Sequence, residues 1–312
     1  MRIGENPAKN IKSVAKPQRI TIAVLSYIPF IGGYYSEALD VLKLCLESIW
    51  QNTDLSYDLL VFDNGSCDQV KEFLTKAQST GKIQYLILSE KNVGKGGAWN
   101  LIFEGAPGKV IAYCDSDAYL YEGWLSACMK ILETFPKVGM VTGRPLRTRE
   151  ELFSATLDWA RSNRDVSLEE GMFISYSEYK EFTETLGYPE DKIKNLYETS
   201  HDFQIHYKGM KVFAGANHFQ FVGWKNTLKK FVPFIMDKPL GQVLQLDQKM
   251  NEDGFLRLMT EKPFVQNMSN RVPSKSLVQR SFTKRKKLKN LAMVKKPLLW
   301  FYNKIFQLYF EK

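Results

Sequence analysis

Residues 110–120 read VIAYCDSDAYL, and this stretch decides the fold. Val110–Cys114 is an apolar run of strand length, fit for a strand buried on both faces. Asp115-Ser116-Asp117 then breaks it. Two carboxylates one residue apart at a strand end can both point into one crevice. Burying two like charges is costly unless a cation lies between them. Mg²⁺ and Mn²⁺ prefer such oxygen ligands and often share them with substrate phosphates. The same tripeptide alone is also an ordinary solvated turn, so its position must carry the argument.

Upstream, Ile20–Leu25 (ITIAVL) is another apolar, β-branched run, broken by Pro29, Gly32 and Gly33. Leu39, Leu42, Leu46 and Ile49 then recur at helical spacing. Leu59–Phe62 is a second strand, stopped by Asp63-Asn64-Gly65-Ser66. Val70, Phe73, Leu74 and Ala77 return to helical spacing, closed by Gly81. Ile83–Leu88 is a third strand, and Asn92–Asn100 opens a helix before the strand at Val110. Strand and helix thus alternate at about 30-residue intervals over residues 20–145, as in βαβ units of a mostly parallel, doubly wound sheet. Ligands of such sheets sit beyond the carboxyl ends of the strands. The turns Ser26–Gly33, Asp63–Ser66, Ser89–Gly97 and Asp115–Ala118 are predicted to converge there.

Downstream, residues 146–210 are charged and aromatic. They show helical stretches near Glu150–Ala160 and Ser177–Leu186, and no strong strand. Val212–Val222, Phe234–Met236, Phe255–Thr260 and Phe264–Met268 read as strands, and Gln242–Glu252 as a helix. The sequence divides into an extension (1–18), a first half (19–145), a second half (146–272) with its insertion (146–210), and a tail (273–312).

Each loop has a bland reading beside a functional one. Asp63 can accept hydrogen bonds from a base or ribose, or serve a plain Asn-Gly turn. Asn92-Val93-Gly94-Lys95-Gly96-Gly97 offers close backbone approach, a helix N-terminus and a positive charge to an anion. It is not G-x-G-x-x-G and follows the third strand, which argues against a dehydrogenase-type dinucleotide site.

ITIAVLSY (20–27), VFDNGS (61–66), NVGKGGAWN (92–100) and IAYCDSDAYL (111–120), in that order, resemble the inverting family 2 glycosyltransferases of the GT-A fold. The resemblance is strong over 20–145 and looser over 212–270. It implies a nucleoside diphosphate sugar donor, UDP being the commonest nucleotide, and inversion at the anomeric carbon. Asp63 would contact the base, with Ser26 and Tyr27 beside it. Asn92, Gly94 and Lys95 would line the nucleoside and phosphate side. Asp115, with Ser116, would orient the ribose or a metal-bound water, and Asp117 would ligate Mn²⁺ or Mg²⁺. LDQKMNEDGFLRLMTEKPFVQNMSN (246–270) is similar to the segment where an Asp starts a helix and a His on the next strand completes the metal site. Asp247 takes the place of the catalytic base, with helix N-capping as its alternative. Asn267 stands at the His position, so an amide oxygen would be the third ligand. His201, His206 and His218 lie outside metal-ligand spacing. His218 falls near the acceptor-facing strand, but for each of the three a packing or surface role is the favoured reading. Trp159, Tyr176, Tyr179 and Tyr188 could stack on an acceptor sugar or pack the insertion.

The chain has 312 residues, 44% hydrophobic and 25% charged, which excludes a disordered chain and a multi-span membrane protein. Its net charge of +9 is matched by residues 279–312 alone, where ten Lys and Arg face the single acid Glu311. Cys45, Cys67, Cys114 and Cys128 form no C-x-x-C pair and read as core thiols. The polar N-terminus lacks a signal-peptide stretch, and the expected compartment is a reducing cytoplasm. In the tail, Pro297 can start a helix, and Leu298–Phe310 is too short and polar to span a bilayer. Aromatic residues beside clustered Lys and Arg suggest an amphipathic helix at an anionic membrane surface through residues 280–312, on the inner face of the plasma membrane. The alternative is a homodimer contact or packing against the catalytic domain. The activity expected is sugar transfer to a hydroxyl of a glycan or lipid-linked acceptor, as in surface polysaccharide or glycolipid synthesis. The competing readings are a sugar nucleotidyltransferase, which should show basic residues after the first strand where SYIPFIGGYY has none, and a non-catalytic membrane- or nucleic-acid-binding module. The apolar residues within the tail favour membrane over nucleic acid.

Overall fold

A computed structural model describes residues 3–236 and 242–273. The expected tail helix and its basic cluster lie outside the described residues. The elements below all lie within the unit Met1–Arg271.

The strands are β1 (Ile20–Ser26), β2 (Asp58–Asp63), β3 (Tyr85–Leu88), β4 (Val110–Asp115), β5 (Ala118–Leu120), β6 (Val138–Thr142), β7 (Val166–Gly171), β8 (Asp202–Tyr207), β9 (Met210–Ala214), β10 (Gln220–Trp224), β11 (Leu256–Thr260) and β12 (Val265–Asn267). The helices are α1 (Ala38–Asn52), α2 (Asp68–Ser79), α3 (Gly94–Gly105), α4 (Trp124–Thr134), α5 (Ser154–Ser162), α6 (Tyr176–Thr183), α7 (Glu190–Glu198), α8 (Lys225–Leu228) and α9 (Gln242–Glu252).

Ten strands form one sheet in the order β3-β2-β1-β4-β10-β6-β11-β9-β8-β7. β10, β9 and β7 run against the other seven, so the sheet is mixed but mostly parallel. Every residue of β1 is buried, because the strand packs helices on both faces. Ile20, Ile22 and Val24 face the core formed with α1, α2 and α4. Ala23 and Leu25 face the other core, with Trp99, Ile102 and Phe103 of α3 and Leu246 and Met250 of α9. This period of two is that of a pleated strand. On α1, the spacing read from sequence puts Leu42, Leu46 and Ile49 fully inside, each contributing roughly 1.5–3 kcal/mol by burial.

The second half departs from the sequence reading. Residues 146–210 hold two strands, β7 and β8, which extend the sheet through β9. β7 alternates half-buried and exposed residues at the sheet edge, so no apolar run marks it. The stretch Val212–Val222 splits into β9 and β10 around Gly215, whose φ is +110°. Phe234–Met236 is not a strand; Phe234 is buried against Trp99, and its backbone bonds the Asn100 side chain. The segment near Phe264 leaves the main sheet, and β12 pairs with β5 in a sheet of two strands. No helix among the described residues is long and apolar enough to cross a membrane.

Candidate active site

Parallel pairing brings the ends of β1, β2 and β4 together, with Ser26 opposite Asp63 and Leu25 opposite Asp115. The loop after β4 is held on three sides. Asp115 N donates to Phe219 O (2.8 Å), Ser116 N to Leu25 O (3.2 Å), and Met268 N to Asp117 O (2.8 Å). A cleft of about 410 Å³ opens at this edge. Of the residues singled out from sequence, Tyr27, Asn92, Lys95, Asp115, Ser116 and Asp117 line it.

Ser26 and Asp63 lie beneath, fully buried. One Asp63 oxygen accepts from Ser66 N at 3.0 Å, while its Oδ1 and the Ser26 hydroxyl have no partner. Neither residue lines the cleft, and buried polar atoms without partners are costly. Gly94 opens α3 with φ +72°.

Asn64, read from sequence as part of a turn, fastens the next loop. Its amide nitrogen donates to Asn92 Oδ1 (2.9 Å) and Gly94 O (3.4 Å), and its oxygen accepts from Val93 N (2.9 Å). Gly65 makes this close approach possible. Its φ is +86°, and a Cβ there would lie 2.9 Å from the Lys91 carbonyl carbon. Gly65→Ala is therefore expected to lower stability by about 1–3 kcal/mol, read as a lower denaturant midpoint. An unchanged midpoint would show that the loop has another seat.

The electrostatics centre on the two carboxylates. Asp115 is engaged at both oxygens, by Lys95 Nζ at 2.7 Å and by the Tyr113 hydroxyl at 2.5 Å. Burial, then the Asp115 charge, push the Tyr113 hydroxyl well above its usual pKa, so it remains a donor. The Lys95 ammonium also lies 5.5 Å from the Trp99 ring centre and 5.6 Å from that of Tyr113, which favours a cation. Burial, and next the Asp115 charge, raise the half-buried Asp117 from 3.8 to about 7, with Lys95 opposing.

A divalent cation fits this donor set. Of the two carboxylates, Lys95 forms its salt bridge with Asp115 and leaves Asp117 without one. Among the described residues no three His, Cys, Asp or Glu side chains are grouped to hold a metal. The ion would therefore be held by one or two carboxylates together with substrate oxygens, as Mg²⁺ commonly is. Asn267 pairs with Ala118 beside Asp117, but its amide oxygen accepts from Ser269 N at 2.8 Å. Ser269 and Asn270 line the cleft at that place.

Tyr34 and Tyr35 also line the cleft, and Asn270 Nδ2 donates to Tyr34 O at 2.9 Å. Sequence reasoning missed them; the available signal was an aromatic pair directly after Gly32-Gly33 at the predicted ligand edge.

Asp247 lies in the middle of α9, five residues after its first residue, so it does not cap the helix. It is buried. Its Oδ1 accepts from Arg257 NH2 at 2.7 Å and its Oδ2 faces His218 Nδ1 at 3.4 Å. Arg257 is wholly buried and also donates to Leu152 O (2.6 Å) and Ala216 O (2.9 Å). Burial lowers its pKa, and Asp247 opposes that shift. An arginine inside the otherwise apolar FLRLMT was the sequence signal for this pair. His201 and His206 face Glu170 and Glu169 near the sheet edge. Tyr179 packs in the insertion against Arg147 and Tyr197, Tyr176 meets Tyr197 edge-to-face, and Trp159 packs against Phe135 and Tyr207.

The sequence profile described as glycosyl transferase family 2 matches residues 33–214, more than half of the chain. An uncharacterized glycosyltransferase of Rickettsia felis is 32% identical over 88 residues, covering 28% of this chain and 14% of that protein. Glycosyltransferase AglE of Haloferax volcanii is 28% identical over 105 residues, covering 33% and 34%. The matches thus span about a third or less of these curated relatives. The crystal structure of GalNAc-T7 with UDP, GalNAc and Mn²⁺ aligns with a TM-score of 0.50 at 10% identity, covering 80% of this chain and 44% of that chain. That likeness shows the GT-A architecture. Profile, motifs and fold agree: the chain belongs to glycosyl transferase family 2.

Proposed function

We propose that this protein transfers a sugar from a nucleoside diphosphate sugar, UDP-sugar favoured, to a hydroxyl of a glycan or lipid-linked acceptor, with inversion. The observation that carries this reading is the cleft at the parallel strand ends, where Asp115, Asp117 and Lys95 line one wall and Lys95 binds Asp115 at 2.7 Å. Asp63 Oδ1 and Ser26 Oγ suit the polar edge of a base. Tyr27 and Asn92 flank the nucleoside, and Lys95 and the Gly94 turn serve the diphosphate. Asp115 and Ser116 orient the ribose. Asp117, with Asp115 and Asn267 as further candidates, would hold Mn²⁺ or Mg²⁺. Such a cation, when bound, neutralises charge on the diphosphate leaving group. The Asp247 centre takes the proton of the attacking hydroxyl, and the sugar passes directly to that oxygen without a covalent intermediate.

Nucleotide binding is the direct test. UDP with Mn²⁺ is expected to raise the melting temperature, because a ligand of the native state stabilises it by mass action. GDP and dTDP with Mn²⁺ or Mg²⁺ are the comparison. No shift with any nucleotide would remove the donor reading.

Residues 280–312 would hold the enzyme at an anionic membrane surface near a lipid-linked acceptor. The full chain should float with anionic vesicles at low salt, and a chain stopped before Lys284 should not. If both stay in solution, the tail belongs to a protein contact such as a homodimer.

A further inference from the structure

We propose that His218 Nε2 is the atom that receives the acceptor proton, with Asp247 behind it as the positioning residue. The proposal rests on the sugar-transfer reading above. Three observations carry it.

The first is accessibility. Along the chain of contacts Arg257–Asp247–His218, side-chain exposure rises from 0% to 6% to 33%. A hydroxyl arriving from solvent meets the imidazole before the carboxylate. The second is occupancy. The Asp247 oxygens face Arg257 on one side and His218 on the other, so the carboxylate already accepts from groups of the fold. A donor contact from His218 Nδ1 to Asp247 sets the tautomer and leaves Nε2 as the free lone pair.

The third is placement. His218 sits in the short link between β9 and β10, and its neighbours are pinned. Asn217 exchanges bonds with the Thr142 hydroxyl, donating its N–H at 2.8 Å and accepting at its carbonyl at 3.1 Å. Phe219 O accepts from Asp115 N at 2.8 Å. His218 is therefore fixed one residue away from a direct bond to the Asp115–Asp117 loop, at the same sheet edge as the donor cleft.

The step balances without a further reactant. The acceptor O–H bond breaks and its proton goes to Nε2. The oxygen forms a bond to the anomeric carbon. The bond from that carbon to the diphosphate oxygen breaks, and its electron pair leaves with the nucleoside diphosphate. The imidazolium formed stands against the Asp247 carboxylate and later returns its proton to water.

The test uses the full chain with Mn²⁺ and a panel of UDP-, GDP- and dTDP-sugars, reading release of nucleoside diphosphate with water and simple alkyl glycosides as acceptors. His218→Ala should lower release by about 10²–10⁴-fold, leave the UDP-induced melting shift intact, and regain part of the release when imidazole is added. His218→Gln should lose as much, because the amide can still donate toward Asp247 but takes no proton. Release within tenfold of wild type in either variant would overturn the proposal. So would a loss that imidazole does not restore, since that assigns the ring to support. A wild-type protein that releases nothing from any donor overturns the sugar-transfer reading and this proposal with it. An active wild type with active His218 variants removes this proposal alone.

Discussion

Asp117→Asn is expected to weaken Mn²⁺-dependent binding of the sugar nucleotide by at least roughly 10–100-fold, the loss seen even for groups one step removed from a metal. The reason is charge. Asp115 is already neutralised by Lys95 at 2.7 Å, so Asp117 carries the negative charge left for a cation. Titration calorimetry with UDP-sugar and Mn²⁺ measures it, and equal affinity in variant and wild type would sink the metal role. The same substitution should act in the opposite sense on the metal-free fold. Burial and Asp115 raise the Asp117 carboxyl from 3.8 to about 7, so the folded protein holds this proton more tightly than the unfolded chain. Stability linked to the proton is complete below about pH 4 and lost as the pH rises through about 7. Wild type therefore weakens across that window and the asparagine variant does not. At pH 8 without metal the variant should melt higher, about 2–4 °C for each kcal/mol relieved. Mn²⁺ and donor should reverse the order, because only wild type gains their binding energy.

The strand-end cleft was legible because it is built from local signals. Each of its loops follows a strand whose burial on both faces makes a continuous apolar run, as in Ile20–Leu25 and Val110–Cys114. Asp63, Asn92, Lys95, Asp115 and Asp117 could be placed at one edge from strand direction alone. The second half of the chain is built from pairings distant in the chain and was not legible in the same way. β7 was hidden because its residues are only half-buried or exposed at the sheet edge, so no apolar run marks it. Phe234 looked like strand because it is apolar, yet it is buried as a plug against Trp99 and Phe103. The short pairing of β12 with β5 brings Asn267 beside Asp117 by backbone contact. The family resemblance implied that proximity but not the turn that occupies the Asn267 oxygen. The capping reading of Asp247 failed for a related reason. An Asp near the start of a helical pattern suggests a cap, and only the contact with Arg257, ten residues on, shows that the carboxylate faces inward.

That contact makes Asp247 the place where stability and turnover can be separated. Asp247→Asn should lower turnover by about 10²–10⁴-fold, while the UDP-induced melting shift stays near wild type, because Asp247 is not among the residues lining the donor cleft. The fold should also weaken. Arg257 is fully buried, and removing a partner from a buried ion pair typically costs about 3–5 kcal/mol. Asparagine should fall at or below the low end, since its amide oxygen can still accept from the guanidinium. Asp247→Ala leaves that donor unpaired and should cost more. The expected order of denaturant midpoints is wild type, then asparagine, then alanine, with turnover equally low in both variants. If Asp247 only neutralises Arg257, turnover measured well below the melting temperature would instead stay near wild type in the asparagine variant. That result would confine Asp247 to the fold, where Arg257 joins α9, β11 and the carbonyls of Leu152 and Ala216.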